Sequence, residues 1–153
     1  MSPTLETKLA DLLVFSRLSV TSKKRVFESA AEAFGDVSGL RKEAVYRGLL
    51  DREKLGSTAL GDGVAIPHCR IEECVAPLGC LMSLTDPVDF SASDGVGVDI
   101  ILVLLVPSQT TQDHLNLLAG AVEILSKETT RAAIRQATQP SELSGIAEMG
   151  GLV

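Results

Sequence analysis

The hydrophobic periods along the chain predict an α/β fold built as one domain. Three observations carry that prediction. Two helix-period segments lie before residue 55, and a period-two segment sits near residue 80. Residues 100–106 are then apolar at every position, before helical spacing returns. Helices flanking strands on both sides in sequence suit one layered α/β unit.

Residues 5–18 read as a short apolar lead-in, LETKLADLLVFSRL. From Thr21 to Phe34, Val26, Phe27, Ala30, Ala31 and Phe34 recur at helical spacing; Thr21 or Ser22 is placed to cap the start and Gly35 to end it. A second helix is expected from Ser38 to about Lys54, with Leu40, Ala44, Val45, Gly48 and Leu49 turned inward. Val64-Ala65-Ile66 reads as a short buried strand closed by Pro67, which has no amide hydrogen to donate.

Leu78, Cys80, Met82 and Leu84 alternate with Gly79 and Ser83, the mark of a strand. Asp86-Pro87 is expected to turn the chain into a short return strand, Val88 to Phe90. Ile100 to Val106, bounded by Asp99 and Pro107, suits a strand covered on both faces. A helix is expected over Thr110 to Ser126, with Thr110 and Asp113 at capping-box spacing and Leu115, Leu118, Val122 and Leu125 buried. Weaker helical signals follow, broken at Pro140.

Composition narrows the function. With 45% apolar and 22% charged residues, the 153-residue chain fits a soluble globular protein able to bury one core. A net charge of −6 supplies no basic stripe for nucleic acid. The longest aliphatic run, seven residues, is far short of the roughly 20 that a membrane helix needs. The N-terminus lacks the charged and apolar regions of a signal peptide, and Cys69, Cys74 and Cys80 are odd in number, so a cytoplasmic protein with reduced thiols is expected.

The chain has two histidines, and both follow a strand-like run and a proline. His68 stands after Gly61-Asp62-Gly63-Val64-Ala65-Ile66-Pro67, where the glycines permit a tight entry turn. A side chain just past a strand end is held by the sheet yet faces its rim, where α/β proteins place their sites. Imidazole, with a reference pKa of about 6.5, is a nucleophile at neutral pH without a strong base to activate it. Spacing alone equally allows a surface or hydrogen-bonding histidine. His114 lies in the first turn of the helix after Val106-Pro107. There a neutral ring can donate a hydrogen bond and the helix end can attract an anion, although a plain capping role fits as well. Arg52 offers planar donors for phosphate or a partner for Asp51 or Glu53, and Ser57 and Thr58 offer hydroxyls or turn the chain.

Together, Arg52-Glu53, Gly56-Ser57-Thr58, Gly61, Gly63 and Ala65-Ile66-Pro67-His68 resemble the active-site signature of phosphotransferase-system enzyme IIA domains of the fructose–mannitol and nitrogen-regulatory class. The likeness continues in VDIILVLLVP at 98–107 and His114-Leu115. It reaches back to SKKRVFESAAEAF, which is similar to the first helix of the nitrogen-regulatory branch, and spans residues 10–145. It implies a three-layer α/β/α sandwich with a mixed sheet of about five strands. It also implies that His68 accepts a phosphoryl group on its ε nitrogen from an HPr-like or NPr-like phosphocarrier, with His114 beside it. Arg52, and with them Thr58 and Ser57, would bind the phosphate, with no metal and no cofactor.

Ala59, Cys69 and Arg70 depart from the residues the family commonly carries there. With no transporter segment in view, regulated target proteins are the expected partners; the alternative is a sugar-transport component passing phosphate to a IIB domain. A metal site from His68, Cys69, Cys74 and Cys80 lacks the paired C-x₂-C spacing of structural zinc.

Overall fold

The computed structural model describes residues 9–109 and 111–153. Six strands form one mixed sheet: β1 (Asp11–Leu18), β2 (Ala59–Gly61), β3 (Val64–Ala65), β4 (His68–Ile71), β5 (Leu78–Val88) and β6 (Val98–Pro107). The path runs β1-β5-β6-β3-β2, and β4 pairs with β6 beyond the end of β3. β1 is parallel to β5, β5 antiparallel to β6, and β6 parallel to both β3 and β4. The expected mixed sheet is therefore present, with one more strand than the principal five.

Five helices cover it: α1 (Lys23–Ser38), α2 (Lys42–Lys54), α3 (Gln112–Leu125), α4 (Glu128–Gln136) and α5 (Pro140–Met149). The stripe Val26, Phe27, Ala30, Ala31 and Phe34 on α1 packs with Val45 and Leu49 of α2 against Ala65, Cys80, Met82 and Ile101. On the other face, Leu117, Ala121 and Leu125 of α3 join Ile134, Leu143 and Ala147 over Val64, Ile66, Leu81 and Leu102. β6 supplies both layers by strand alternation, so every residue from Ile100 to Leu105 is buried. Each fully buried Phe or Leu contributes about 1.5–3 kcal/mol to this packing.

Several elements differ from expectation for physical reasons. The lead-in is strand β1 from Asp11 onward, its Leu13 and Phe15 facing one layer and its Leu12 and Val14 the other; residues 5–8 lie outside the described residues. Gly35 does not end α1. A Cβ there would meet Lys42 Cγ at 2.6 Å, so Gly35 lets the start of α2 pass close by. The helix stops instead at Gly39, whose φ of 71° is the left-handed conformation glycine tolerates.

Asp86-Pro87 does not turn the chain: β5 runs through it to Val88 as one strand with a register shift after Ser83. Its pairing with β1 ends at Leu84 and no β6 partner is in register between Ser83 and Val88, so the proline interrupts no regular ladder pair. Pro140 opens α5 rather than breaking a helix, in the first-turn position where proline fits. No helix among the described residues is long and apolar enough to cross a membrane.

Candidate functional site

The turn Gly61-Asp62-Gly63 joins β2 to β3 with φ of 95°, 57° and 79° at its three residues. Arg135 of α4 clamps it: Nη2 donates to the Asp62 carbonyl at 2.7 Å while Nε and Nη2 both grip the Asp99 carboxylate. Gly63 has a φ of 79°, in the region that favours glycine, and a Cβ there would also crowd Arg135 Nη2 at 2.5 Å.

The chain then passes Pro67 without leaving the sheet. The Pro67 carbonyl accepts from Leu104 N–H at 2.9 Å, and His68 opens β4 opposite Leu104. His68 is thus the first residue of a strand, not a loop residue beyond one. Paired residues share a face, so His68 looks toward the α3 layer with Leu104, and Arg70 with Val106, while Cys69 and Ile71 face the α1–α2 layer.

The His68 ring is half-buried, and its Nδ1 lies 2.6 Å from the Ile66 carbonyl. A carbonyl only accepts, so Nδ1 carries the proton, and in the neutral ring Nε2 holds the lone pair. His114 is arranged the other way. It sits at the third position of α3, where Thr111 Oγ1 accepts from His114 N–H at 3.4 Å and His114 Nδ1 accepts from Thr111 N–H at 3.3 Å. This reciprocal cap leaves the proton of the neutral His114 ring on Nε2, as a donor. The box present here is Thr111 with His114; the expected one rests on Thr110, which lies outside the described residues.

Both histidines line one cavity of about 680 Å³, between the end of α2, the edge of β4 and the start of α3. Arg52 shares the wall, as do Asp51 and the exposed Arg70. Arg52 makes no ion pair with Asp51 or Glu53 among the described residues; its Nη1 donates to the Gly56 carbonyl at 3.0 Å. Exposed Leu55 and Leu115 flank the opening. Leu115 is therefore at the cavity rather than in the core, and the buried stripe of α3 is Leu117, Ala121 and Leu125.

Ser57 and Thr58 do not line this cavity. Ser57 Oγ donates to the Phe90 carbonyl at 2.5 Å. Thr58, through Oγ1 at 2.6 Å and its amide, bonds the buried Glu53 carboxylate, which also takes Lys23 Nζ at 3.2 Å. That network ties α1, α2 and the following loop together, and Lys23 lies 5.1 Å above the Phe90 ring.

Arg70, the residue on His68's face that sequence reading treated only as a departure, could have been found from the alternation of His68-Cys69-Arg70-Ile71. Cys69 is buried and desolvation pushes its thiol up to about 12, which keeps it an unreactive filler. Cys74 Sγ donates to the Ala76 carbonyl. Among the described residues, no three of histidine, cysteine and carboxylate gather as metal ligands.

Residues 8–148 match the family described as phosphoenolpyruvate-dependent sugar phosphotransferase system, EIIA 2. A nitrogen regulatory protein of Pseudomonas aeruginosa is 42% identical over 117 residues, 76% of either chain. The crystal structure of nitrogen regulatory protein IIA-Ntr from Neisseria meningitidis is similar at a TM-score of 0.79 and 37% identity, covering 89% of this chain and 91% of that one. IIA mannitol from Escherichia coli shares the fold at a TM-score of 0.72 and 19% identity, over 87% of this chain and 94% of its own.

Proposed function

The chain belongs to the EIIA 2 family of the phosphoenolpyruvate-dependent sugar phosphotransferase system, and from that premise we propose that it is a phosphoacceptor of the nitrogen-regulatory kind. His68 Nε2 takes a phosphoryl group from the phosphohistidine of an HPr-like or NPr-like carrier, and the phosphorylation state decides which proteins the surface around the cavity accepts. The single observation that supports this most is the opposed proton placement of the two rings: a lone pair on His68 Nε2 and a hydrogen on His114 Nε2, in one cavity with Arg52.

In the transfer, the His68 Nε2 lone pair forms the new N–P bond as the carrier's P–N bond breaks. The carrier's ring nitrogen keeps the electron pair of that bond. The hydrogen bond from Nδ1 to the Ile66 carbonyl supports the positive charge that develops on the attacking ring. The phosphoryl group passes through a loose, metaphosphate-like arrangement, so the protein contributes alignment and charge stabilisation rather than acid–base chemistry. Arg52 and the His114 Nε2–H serve its oxygens, and the start of α3 adds a favourable field. Adding close to two negative charges beside Leu55 and Leu115 changes what that surface can bind.

The test is to incubate the protein with phosphorylated HPr-like carrier and map the acid-labile phosphate. Label on His68 Nε2 is the expected result; label on another residue removes the proposal. Addition of IIB domains then separates regulation from transport: the phosphate stays on the protein in the regulatory reading, and efficient onward transfer assigns a sugar-transport role.

A further inference from the structure

A second cavity of about 400 Å³ opens at the other end of β6, and nothing in the phosphoryl chemistry uses it. His68 pairs with Leu104, whereas Ser83 pairs with Ile100, four residues away along the same strand, or roughly 13 Å at the rise of a strand. Both side chains face the α3–α5 layer, since Ile100 and Leu104 do.

Ser83 is 3% exposed yet lines this cavity. Its oxygen accepts from Arg17 N–H at 2.8 Å, and its hydroxyl hydrogen has no acceptor among the described residues. A buried donor left unmatched costs free energy unless something from outside meets it. Arg17 sits in the left-handed region at φ 55°, where the pairing of β1 with β5 shifts register between Phe15 and Leu18. A non-glycine residue persists there when its surroundings hold it, and such residues concentrate at ligand clamps.

Arg17 also lines the cavity, and its guanidinium has no carboxylate partner among the described residues. Arg135 is there too, but Asp99 and the Asp62 carbonyl already engage it. Arg17, Arg135 and Asp99 leave a local charge of +1 in a chain whose net charge is −6.

We infer that this cavity is a binding site for the oxyanion group of a small molecule, a carboxylate or a phosphate, held by the Arg17 fork and the Ser83 hydroxyl. An uncompensated guanidinium beside a buried, unmatched hydroxyl is the donor set such a group requires. At the rim, the exposed Thr85 donates its hydroxyl to the Asp86 carboxylate at 3.4 Å. The site stands apart from the His68 cavity, so the inference does not depend on phosphoryl transfer.

Residue-resolved amide spectra of the full chain, titrated with inorganic phosphate or with malonate at constant ionic strength, test it. Saturable movement of the Arg17, Ser83 and Thr85 amides is expected with one probe or both. A response to phosphate alone assigns a phosphoryl ligand, and a response to malonate alone a carboxylate. Arg17→Gln should weaken the response about tenfold, the loss of one charge-assisted hydrogen bond. Arg17→Lys, which keeps the charge without the fork, should fall between. Arg52→Gln should leave these amides unchanged, which separates this site from phosphate held near His68. Absence of saturable movement with both probes, or an unaltered response in Arg17→Gln, overturns the inference.

Discussion

The two histidines share a cavity but hold their protons on opposite nitrogens, and the difference comes from the elements that carry them. His68 follows a strand interrupted at Pro67, and the carbonyl two residues back can only receive a hydrogen, so Nδ1 is protonated. His114 stands at a helix start, where unpaired backbone N–H groups can only give one, so Nδ1 is bare. Backbone polarity, fixed by secondary structure, thus leaves a lone pair on one Nε2 and a hydrogen on the other, the division the proposed transfer requires. No third side chain is needed to set either tautomer.

The largest effect should come from removing the proposed nucleophile. His68→Ala should abolish phosphoryl acceptance from the carrier while the circular dichroism spectrum stays that of the wild type; retained label would break the assignment of roles. Arg52→Gln removes a charge rather than a reacting atom, and should slow single-turnover phosphorylation about 100-fold, the usual cost of losing one donor to developing oxyanion charge. An unchanged rate would place the charge stabilisation elsewhere, with Arg70 the next cation on the wall.

His114→Ala should slow the same step about tenfold, the worth of a hydrogen bond to a charged group, and still permit labelling of His68. A loss as complete as that in His68→Ala would mean that the two rings do not divide the work as their protons suggest. The smallest effect belongs to the residue next to His68. Cys69→Ala should leave the phosphorylation rate within about twofold, because strand alternation turns its thiol into the opposite layer.

The same burial has a pH signature. Burial raises the Cys69 and Cys80 thiols from the ordinary 9.0 to about 12. Each therefore contributes stability that is intact below pH 9 and is lost as pH climbs from 9 toward 12, where an unfolded thiol would be ionised. Denaturant midpoints measured across that window should fall for the wild type and fall less steeply for Cys69→Ala.

The sequence carried much of this arrangement. The apolar stripe of α1 and the continuous apolar run of β6 each allowed one reading, and the glycine-strand-proline-histidine order marked His68. What escaped depended on contacts distant in the chain. β1 looked like a lead-in because its apolar residues serve both faces of the sheet and so show no alternation. Gly35 looked like a stop signal until Lys42, seven residues on, took the space beside it. Ser57 and Thr58 read as hydroxyls for phosphate or for a turn, and their partners, the Phe90 carbonyl and Glu53, become visible only after folding. The capping role of His114 was considered, but that it fixes the ring's tautomer emerges only from the Thr111 geometry.

The shortness of β4 has a consequence beyond placing His68. β4 pairs only with β6 among the described residues, leaving its outer side as an open border of the sheet. A border only four residues long is a poor template for another extended chain, which needs a longer ladder of amides to zip against. In the proposed transfer a carrier would therefore approach through side chains rather than by adding itself to the sheet. An encounter of that kind suits an exchange in which the partner leaves after each delivery.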